Sequence, residues 1–461
     1  MMKPMTETRQ HPASFRDPAG FIFEYQGQYY RQVNHSYKAD YRHLIDSGLY
    51  QHLVQKKWLV PHKEINDFPV KKENAYLYIL PEQLRIISYP YEWCFGQLRD
   101  AALLTLRIMR HSLEKGMILK DASGFNIQYE GNKPVFIDTL SFEIYKPGSP
   151  WIGYRQFCEH FLFPLLLEHY RKTDSIRWLQ IYPNGIPVEI TSSLLPWHCR
   201  LKPATLMHVF MQNWAKHKKN NTVSKASFSL AKMKYLLQHL EDIIGSLQPG
   251  KLVTSTWNDY YPSTILGKEY LIAKEKVLLQ MLPDIDPCVV LDMGANEGHF
   301  ALQMARAGHQ VIACDADAVC IENLYQKIKK EKIRNLLPLV IDVSAPSPAL
   351  GWANEERPAF NKRIQPQLIL ALALVHHLAI GQNLPLPMLA QYFARQAPQL
   401  IIEFVPKSDP KVQLLLQHRP DIFDGYSLPA FEIAFSAFFE VEQKETIPGT
   451  ERVLYKMCRK M

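Results

Sequence analysis

The sequence lacks paired cysteine motifs and lacks any apolar segment long enough to cross a membrane. Its seven cysteines are scattered, odd in number and form no Cys-x-x-Cys, which argues against a disulfide framework or a structural zinc and favours a reduced, cytoplasmic protein. The longest apolar runs, such as 368–375, fall far short of the roughly 20 residues of a membrane helix, and the N-terminus has no apolar secretory segment. We therefore expect no metal site and no membrane partner.

Acidic residues are absent between Glu189 and Glu241, although the chain as a whole has 45 of them. The basic residues of this window are Arg200, Lys202, Lys216, Lys218, Lys219, Lys225, Lys232 and Lys234. Such a window is typical of a surface that attracts phosphates, or of a solvated linker and helix face. We favour the solvated face, because no aromatic residues alternate with the basic ones, so nucleic acid is the less favoured partner.

The length of 461 residues and the 47% hydrophobic content are typical of a globular protein with two or three domains. The most convincing break is Gly245-Ser-Leu-Gln-Pro-Gly250, because two glycines and a proline end the helical pattern before it. We expect an α+β domain over residues 1–245 and an α/β domain over residues 251–461.

Short apolar runs alternate with helical patterns in the second domain. This alternation predicts βαβ units and a mostly parallel, buried sheet. Two further strand-like runs, 438–446 and 452–458, flank Pro448-Gly449 and predict a closing antiparallel hairpin. The five apolar runs are 288–293, 310–314, 336–341, 368–375 and 400–405, and the helical patterns between the first three are 300–307 and 318–330.

The first of these runs leads into an acidic, glycine-containing turn, Asp292-Met-Gly294-Ala-Asn296-Glu-Gly298. Glycine allows the backbone to approach a ligand closely, since no Cβ intervenes. The turn contains neither Gly-x-Gly-x-x-Gly nor the lysine of a phosphate-binding loop. An acid at this place would repel phosphate and suits a cationic ligand.

This turn resembles motif I of the class I S-adenosylmethionine-dependent methyltransferases. The resemblance implies a Rossmann-like methyltransferase fold with S-adenosylmethionine as cofactor, and it places Asp292, Gly294, Asn296 and Gly298 at the methionine part. The acids that end the second and third runs would bind the ribose and the adenine amino group, respectively; they are Asp315 and Asp342. Segments 342–357, 370–378 and 402–410 are similar to a subgroup named after the nodulation protein NoeA, and this similarity extends along nearly the whole chain.

Polar residues also end the fourth and fifth apolar runs. His376, His377 and Glu403 would lie at the carboxyl ends of strands, where open α/β sheets bind ligands. Histidine has an unperturbed pKa near 6.5, so it can remove a proton from a methyl acceptor. We predict one histidine as base or orienting group, with Glu403 as its partner. The alternative is an imidazole that only satisfies backbone groups. Adjacent residues in an extended chain point oppositely, so we expect only one histidine to face the acceptor.

The N-terminal half predicts a hairpin over 21–33, a helix over 97–116 and a buried helix over 154–170. Asp121, Asn126 and Asp138 have a spacing similar to a kinase catalytic loop and its metal-binding acid. However, Leu-Lys replaces the usual residues before Asp121, and no glycine-rich phosphate loop is found. Three interpretations stay open, namely phosphotransfer, an inactive kinase-like platform for substrate, and chance spacing.

These observations predict a cytoplasmic S-adenosylmethionine-dependent methyltransferase with an N-terminal accessory or substrate-recognition domain. The acceptor is unidentified, and a small or carbohydrate-like molecule is favoured. One alternative is an RNA methyltransferase that uses the basic window 200–234, and another is a non-catalytic scaffold with relict kinase-like and cofactor folds. The aromatic segment with Trp257, Asp259, Tyr260 and Tyr261 would cover the cofactor or pack between domains.

Overall fold

The computed structural model describes residues 8–66, 68–69, 73–217, 228–250, 268–282, 285–417 and 420–460. Contacts between Cα atoms divide the chain into two compact units. Unit 1 comprises residues 1–253 together with 348–359, and unit 2 comprises residues 254–347 and 360–461. Within the described residues, no helix is both long and apolar enough to cross a membrane.

Unit 1 contains an antiparallel sheet with the strand order β1-β2-β3-β5-β4, and two small two-stranded ladders. Its strands are β1 (Arg9–Gln10), β2 (Gly20–Tyr25), β3 (Gln28–Asn34), β4 (His62–Ile65), β5 (Ala75–Pro81), β6 (Met117–Leu119), β7 (Ile127–Glu130), β8 (Lys133–Phe136) and β9 (Phe142–Ile144). Strands β2 and β3 form the predicted hairpin. Gln26 and Gly27 both have positive φ at its turn, which matches the twist of the flanking strands.

The helices of unit 1 are α1 (Lys38–Asp46), α2 (Leu49–Gln55), α3 (Phe95–Glu114), α4 (Tyr154–Phe157), α5 (Phe163–Arg171), α6 (Val188–Leu194), α7 (Pro203–Thr205), α8 (Met211–His217) and α9 (Leu230–Ser246). Helix α3 confirms the prediction over 97–116. Helices α4 and α5 are joined by a buried π-helical turn, Cys158–Leu162, and so confirm the buried helix predicted over 154–170. Another π-helical turn, Leu206–Phe210, joins α7 to α8.

Unit 2 is an α/β fold whose seven-stranded sheet has the order β12-β11-β10-β13-β14-β16-β15. Strands β10 to β14 are parallel to one another, whereas β16 is antiparallel to both β14 and β15. The predicted parallel sheet with a closing hairpin is therefore confirmed. Its strands are β10 (Val289–Met293), β11 (Gln310–Asp315), β12 (Leu336–Val340), β13 (Leu368–Ala371), β14 (Gln399–Phe404), β15 (Phe439–Thr446) and β16 (Val453–Arg459).

The helices of unit 2 are α10 (Lys268–Gln280), α11 (His299–Arg306), α12 (Ala318–Glu331), α13 (Phe360–Arg363), α14 (Leu386–Gln396), α15 (Pro410–Leu416) and α16 (Leu428–Ser436). Helices α11 and α12 confirm the two helical patterns predicted between the first three strands. Strand β13 is shorter than the apolar run 368–375, because Ala373 adopts a left-handed conformation with φ 52° and turns the chain out of the sheet.

A segment inserted between β12 and β13 belongs to unit 1. This crossover segment, residues 348–359, carries Glu356, which is only 2% exposed. Its carboxylate accepts two hydrogen bonds from the Arg16 guanidinium and one from the Trp352 backbone N–H at 2.7 Å. The Arg357 guanidinium lies 3.8 Å from the ring centre of Phe125. A buried carboxylate needs such charged partners, so the segment is fixed within unit 1.

Candidate active site

The strand order of unit 2 reverses at β10. The chain proceeds from β10 outward to β11 and β12, and then returns to place β13 and β14 on the other side of β10. In open α/β sheets, ligands bind at such a reversal, beyond the carboxyl ends of the strands. The turn after β10 and the turn after β13 meet there, because a Cβ added to Gly294 would lie 3.2 Å from Leu374 Cδ1.

The turn after β10 is built from left-handed residues. Gly294, Asn296 and Gly298 have φ values of 76°, 50° and 75°. The backbone N–H groups of Gly294 and Ala295 both donate to the Cys314 carbonyl, at 2.8 and 2.9 Å. These bonds fix the turn against the end of β11, and α11 begins directly after Gly298.

Glycine is required at Gly298 for packing as well as for conformation. An added Cβ would lie 2.4 Å from Leu324 Cδ1, closer than non-bonded carbon atoms approach. At Gly294 the missing Cβ leaves the backbone open beside Leu374. The turn thus has the open backbone and the nearby acids that a cationic nucleoside ligand such as S-adenosylmethionine requires.

Asp292 is 2% exposed at the end of β10. Burial raises the pKa of this carboxyl to about 7, although Lys274 opposes the rise, and the neighbouring Asp315 adds to it. Its carboxylate accepts a hydrogen bond from the Ala301 backbone N–H in α11. Asp292 therefore joins the strand to the helix, and a nearby positive charge would favour its ionised form.

Asp315 and Asp342 follow the ends of the neighbouring strands. Asp315 Oδ2 accepts from the Asn296 N–H at 2.8 Å, and Oδ1 accepts from the Asp317 N–H at 2.9 Å. Burial raises the pKa of Asp315. The same carboxylate also accepts a hydrogen bond from the Ala316 backbone N–H, so of its four lone-pair sites about one remains for a ligand hydroxyl. Asp342 Oδ1 accepts from both the N–H and the hydroxyl of Ser344, at 2.9 and 2.6 Å, which leaves Oδ2 for a ligand.

His376 and His377 lie after the turn at Ala373 and begin a helical turn. His376 has φ −66° and ψ −31°, so the expectation that the two residues point oppositely from an extended chain is wrong. Their ring centres are 4.1 Å apart. His376 is fully buried, and neither of its ring nitrogens has a hydrogen-bond partner within the described part of the chain. A buried polar group in this state requires an explanation.

Burial keeps both histidines neutral. It lowers the pKa of His376 well below the ordinary value, and His377 and Arg452 add to this effect. Burial also lowers the pKa of His377 to about 4, with contributions from Arg452 and Lys411. At neutral pH both imidazoles are therefore uncharged.

Glu403 is fully buried in β14 and is bound by three groups. Lys274 donates to Oε2 at 2.5 Å, and Tyr270 Oη donates to Oε1 at 2.8 Å. Arg452 Nη1 lies 3.3 Å from Oε1. Burial alone would raise the pKa of Glu403, but Lys274 and Arg452 outweigh burial and hold this pKa below its ordinary value.

Asp409, which precedes α15, belongs to the same group of buried charges. Its carboxylate accepts from Arg452 Nε at 2.7 Å and from Nη2 at 3.0 Å. Sequence reasoning missed Lys274, Tyr270, Arg452 and Asp409. Tyr270 and Lys274 are four residues apart, so the sequence indicates that they share one face of a helix. It does not indicate their common partner Glu403, which lies 129 or more residues away along the chain.

Two sequence predictions lie outside the described residues. These are the aromatic segment with Trp257, Asp259, Tyr260 and Tyr261, and the lysines Lys218, Lys219 and Lys225 of the basic window. In the part of the chain that is described, no group of three or more His, Cys, Asp and Glu side chains is arranged to hold a metal ion.

Comparisons with known proteins relate the whole chain to one curated protein. The chain is 32% identical to the nodulation protein NoeA of Rhizobium meliloti (strain 1021), over 97% of this chain and 95% of that protein. The family model described as tellurite resistance protein TehB matches residues 263–347.

Solved structures give weaker similarities. The N-methyltransferase NodS from Bradyrhizobium japonicum WM9 is 9% identical, covers 42% of this chain and 98% of that one, and has a TM-score of 0.32. The magnesium protoporphyrin IX methyltransferase ChlM from Synechocystis PCC 6803, with bound SAH, is 13% identical, covers 44% and 92%, and also has a TM-score of 0.32. The sequence relationship to NoeA, in contrast, extends over nearly the whole chain.

Lys274→Met should lower the free energy of unfolding of the protein by about 3 kcal/mol, because it leaves the buried Glu403 with an incomplete set of charges. The matched control is Lys407→Met, which removes a more exposed ion pair with Asp421 and should leave the stability nearly unchanged, because solvent screens an exposed pair. Urea unfolding measures both changes. Equal effects of the two substitutions would contradict the importance of the buried pair.

Proposed function

The chain belongs to the family of the nodulation protein NoeA and is an S-adenosylmethionine-dependent methyltransferase, and from this premise we propose that unit 2 methylates a small or carbohydrate-like acceptor at the junction of β10 and β13. The observation that carries the proposal is the arrangement at that junction. An open glycine turn and three strand-end acids lie on one side of it, and a buried histidine without partners in the described chain lies on the other.

The residues that would hold S-adenosylmethionine are those of the β10 turn and the two following strand ends. Asp292, Gly294, Asn296 and Gly298 would surround the methionine part. Asp315 would accept a hydrogen bond from a ribose hydroxyl and Asp342 one from the adenine amino group, through the lone pairs that the protein leaves unused. When bound, the cofactor supplies an activated methyl group, so the protein must mainly align the acceptor and exclude water.

His376 would act on the acceptor side. Its ring nitrogens have no partner in the described residues, and its imidazole is neutral at neutral pH, so one nitrogen is able to accept a hydrogen bond from an acceptor hydroxyl and orient it. His377 lies against it at 4.1 Å between ring centres and would fix its orientation. Glu403 would be a positioning residue, since its oxygens are bound to Lys274, Tyr270 and Arg452.

The sequence after β13 supports a small or carbohydrate-like acceptor over a nucleic acid. It reads Leu372-Ala-Leu-Val-His-His377 and lacks the Asn/Asp-Pro-Pro-Tyr/Phe motif of amino-methylating nucleic-acid enzymes. It also lacks the Pro-Cys pair of enzymes that methylate pyrimidine carbon. The acceptor group we favour is a hydroxyl, because a neutral histidine is a suitable partner for it.

We propose that unit 1 is a kinase-like accessory domain that recognises the acceptor without transferring phosphate. The ladders β6–β9 and β7–β8 bring the loop with Asp121 and Asn126 to Asp138, since Asn126 Nδ2 and Asp138 Oδ2 both bond to the Ser141 hydroxyl, at 3.2 and 2.6 Å. Asp138 also accepts a hydrogen bond from the Arg31 guanidinium. Arg31 thus already neutralises the carboxylate that a phosphotransferase would use for its metal ion.

Cofactor binding is tested by calorimetric titration with S-adenosylhomocysteine. Wild type should bind, whereas Gly294→Arg should bind about a hundredfold more weakly, or roughly 2.7 kcal/mol, because the side chain enters the open turn. Asp315→Ala should also weaken binding, since the ribose loses its acceptor. The control is Gly308→Arg, at a glycine with positive φ and no atom within 4 Å of its Cβ position, which should bind as wild type. Absence of binding by wild type would remove the assignment.

The acceptor-side role is tested by transfer of labelled methyl from the cofactor into fractions of a cell extract. His376→Ala should lower the transfer rate by about 10²-fold or more while leaving the affinity for S-adenosylhomocysteine within a few fold. His377→Ala should have a smaller effect. If His376→Ala transfers methyl at the wild-type rate, the histidine has no role in the reaction.

The unit 1 proposal predicts that Mg-ATP does not raise the melting temperature of the wild-type protein, because Arg31 occupies the Asp138 carboxylate. Arg31→Gln frees this carboxylate, so this second variant tests whether Arg31 is what prevents the binding of Mg-ATP. Mg-ATP hydrolysis by wild type that is lost in Asp138→Asn would show an active phosphotransferase and overturn the proposal. S-adenosylhomocysteine, added to the same samples, is the positive control for a ligand-dependent shift.

A further inference from the structure

A row of exposed apolar side chains lies on a helical segment of unit 1, where the sequence is free of acidic residues. The row consists of Trp197, Leu201, Leu206, Met207, Met211 and Trp214, which are between 41% and 75% exposed. Single exposed apolar residues are ordinary on protein surfaces, but a contiguous set marks an interaction site. We refer to these six residues as the apolar row.

The geometry of the segment places Leu206, Met211 and Trp214 on one face, and Trp197 and Leu201 lie in the 3₁₀-helical segment Trp197–Leu201 that precedes α7. Helix α7, the π-helical turn Leu206–Phe210 and helix α8 follow one another without a break. Residues five apart across a π-helical turn, and three or four apart in an α-helix, lie on the same face, which aligns Leu206 with Met211 and Met211 with Trp214. The opposite face is buried through Thr205, His208 and Val209. His208 is bonded there to Tyr154 and His239, at 2.7 and 3.0 Å.

Basic side chains border the apolar row. The Arg200 guanidinium lies 5.3 Å from the ring centre of Phe210, and Lys202 lies 4.5 Å from the ring centre of Tyr170. Both are exposed. Lys216 ends the row and is paired with Glu189, the last acid before the window from 190 to 240 that contains none. The surface therefore combines apolar side chains with an excess of positive charge.

We propose that this face of unit 1 docks on the surface of an anionic lipid bilayer. Positive side chains beside Trp, Leu and Met are the composition of helices that lie in the membrane interface. The basic residues would attract anionic headgroups, while the apolar row enters the boundary of the acyl chains. The prediction of no membrane partner from the sequence considered only membrane-spanning segments. It does not address docking of a protein surface on a membrane.

Two other binding partners, a nucleic acid and a second copy of the chain, fit these residues less well. Nucleic acid bases stack on aromatic rings, but four of the six side chains in the row are aliphatic or thioether chains. A second copy of the same face would bring like charges together, because no acidic residue lies in the window to pair with Arg200 and Lys202. The proposal does not depend on methyl transfer or on any role of unit 2.

Flotation of the full chain with lipid vesicles tests the proposal. Vesicles of phosphatidylglycerol and phosphatidylcholine in equal proportion should carry the wild-type protein, whereas pure phosphatidylcholine vesicles should not. The triple substitution Trp197→Ser, Leu201→Ser and Met211→Ser should reduce the bound fraction at least about tenfold, since it removes apolar side chains whose burial among the acyl chains stabilises binding. Arg200→Gln with Lys202→Gln should weaken binding, with the larger effect at low salt.

Matched variants separate docking from a general effect of fewer apolar or basic residues. Met388→Ser, Ile422→Ser and Ile433→Ser remove side chains that are 59% to 73% exposed elsewhere, and Lys56→Gln with Lys330→Gln removes exposed charges elsewhere. Both sets should float as wild type. Because all these residues are exposed, the melting temperatures of the variants should match that of wild type, which excludes misfolding as the cause.

Three outcomes would overturn the proposal. One is flotation that is equal for wild type and the apolar-row triple variant. Another is binding of a single-stranded RNA oligonucleotide that is lost in this variant while vesicle binding is unchanged. The third is concentration-dependent dimerisation, measured by light scattering, that the same variant abolishes while wild type fails to bind vesicles.

Discussion

The site in unit 2 depends on a buried group of charges, Lys274, Glu403, Arg452 and Asp409. Removing these charges from water costs several kcal/mol for each ion, and only close, complementary partners offset that cost. The group joins helix α10 to strand β14 and to Arg452, the residue that precedes strand β16. It thereby fixes the strand ends on the side of the sheet where the acceptor would enter, and it holds Glu403 in a single charge state.

The proposed cofactor side of the site is organised by hydrogen bonds to the backbone. The turn after β10 is held by the Cys314 carbonyl and by Asp315, so the acid of the second strand both shapes the turn and retains capacity for a ligand. This double use explains why the acid stands directly at the strand end. Movement of either element would disturb the other, and the two sides of the site meet where Leu374 approaches Gly294.

The order of strands and helices in unit 2 could be predicted from the sequence because apolar runs and glycine turns are local signals. The positions of Asp292, Gly294 and Asp315 followed from the same signals. The conformation of His376 and the partners of Glu403 could not be predicted. The former depends on a left-handed alanine that no residue preference indicates, and the latter depends on ion pairs between residues far apart in the chain. In unit 1, the exposure of Trp197 and its neighbours depends on which helix face is buried, and this requires the tertiary structure.

The crossover segment has a consequence for how the two units can be separated. The polypeptide passes between them three times, at 253–254, 347–348 and 359–360, so a single cut near Gly250 does not yield two self-sufficient halves. A fragment that begins there would carry the buried carboxylate of Glu356 into water without Arg16, and the remaining N-terminal piece would lose the partner of Arg16. Exchange of unit 2 for a domain from another protein would therefore have to retain the twelve residues 348–359 together with unit 1.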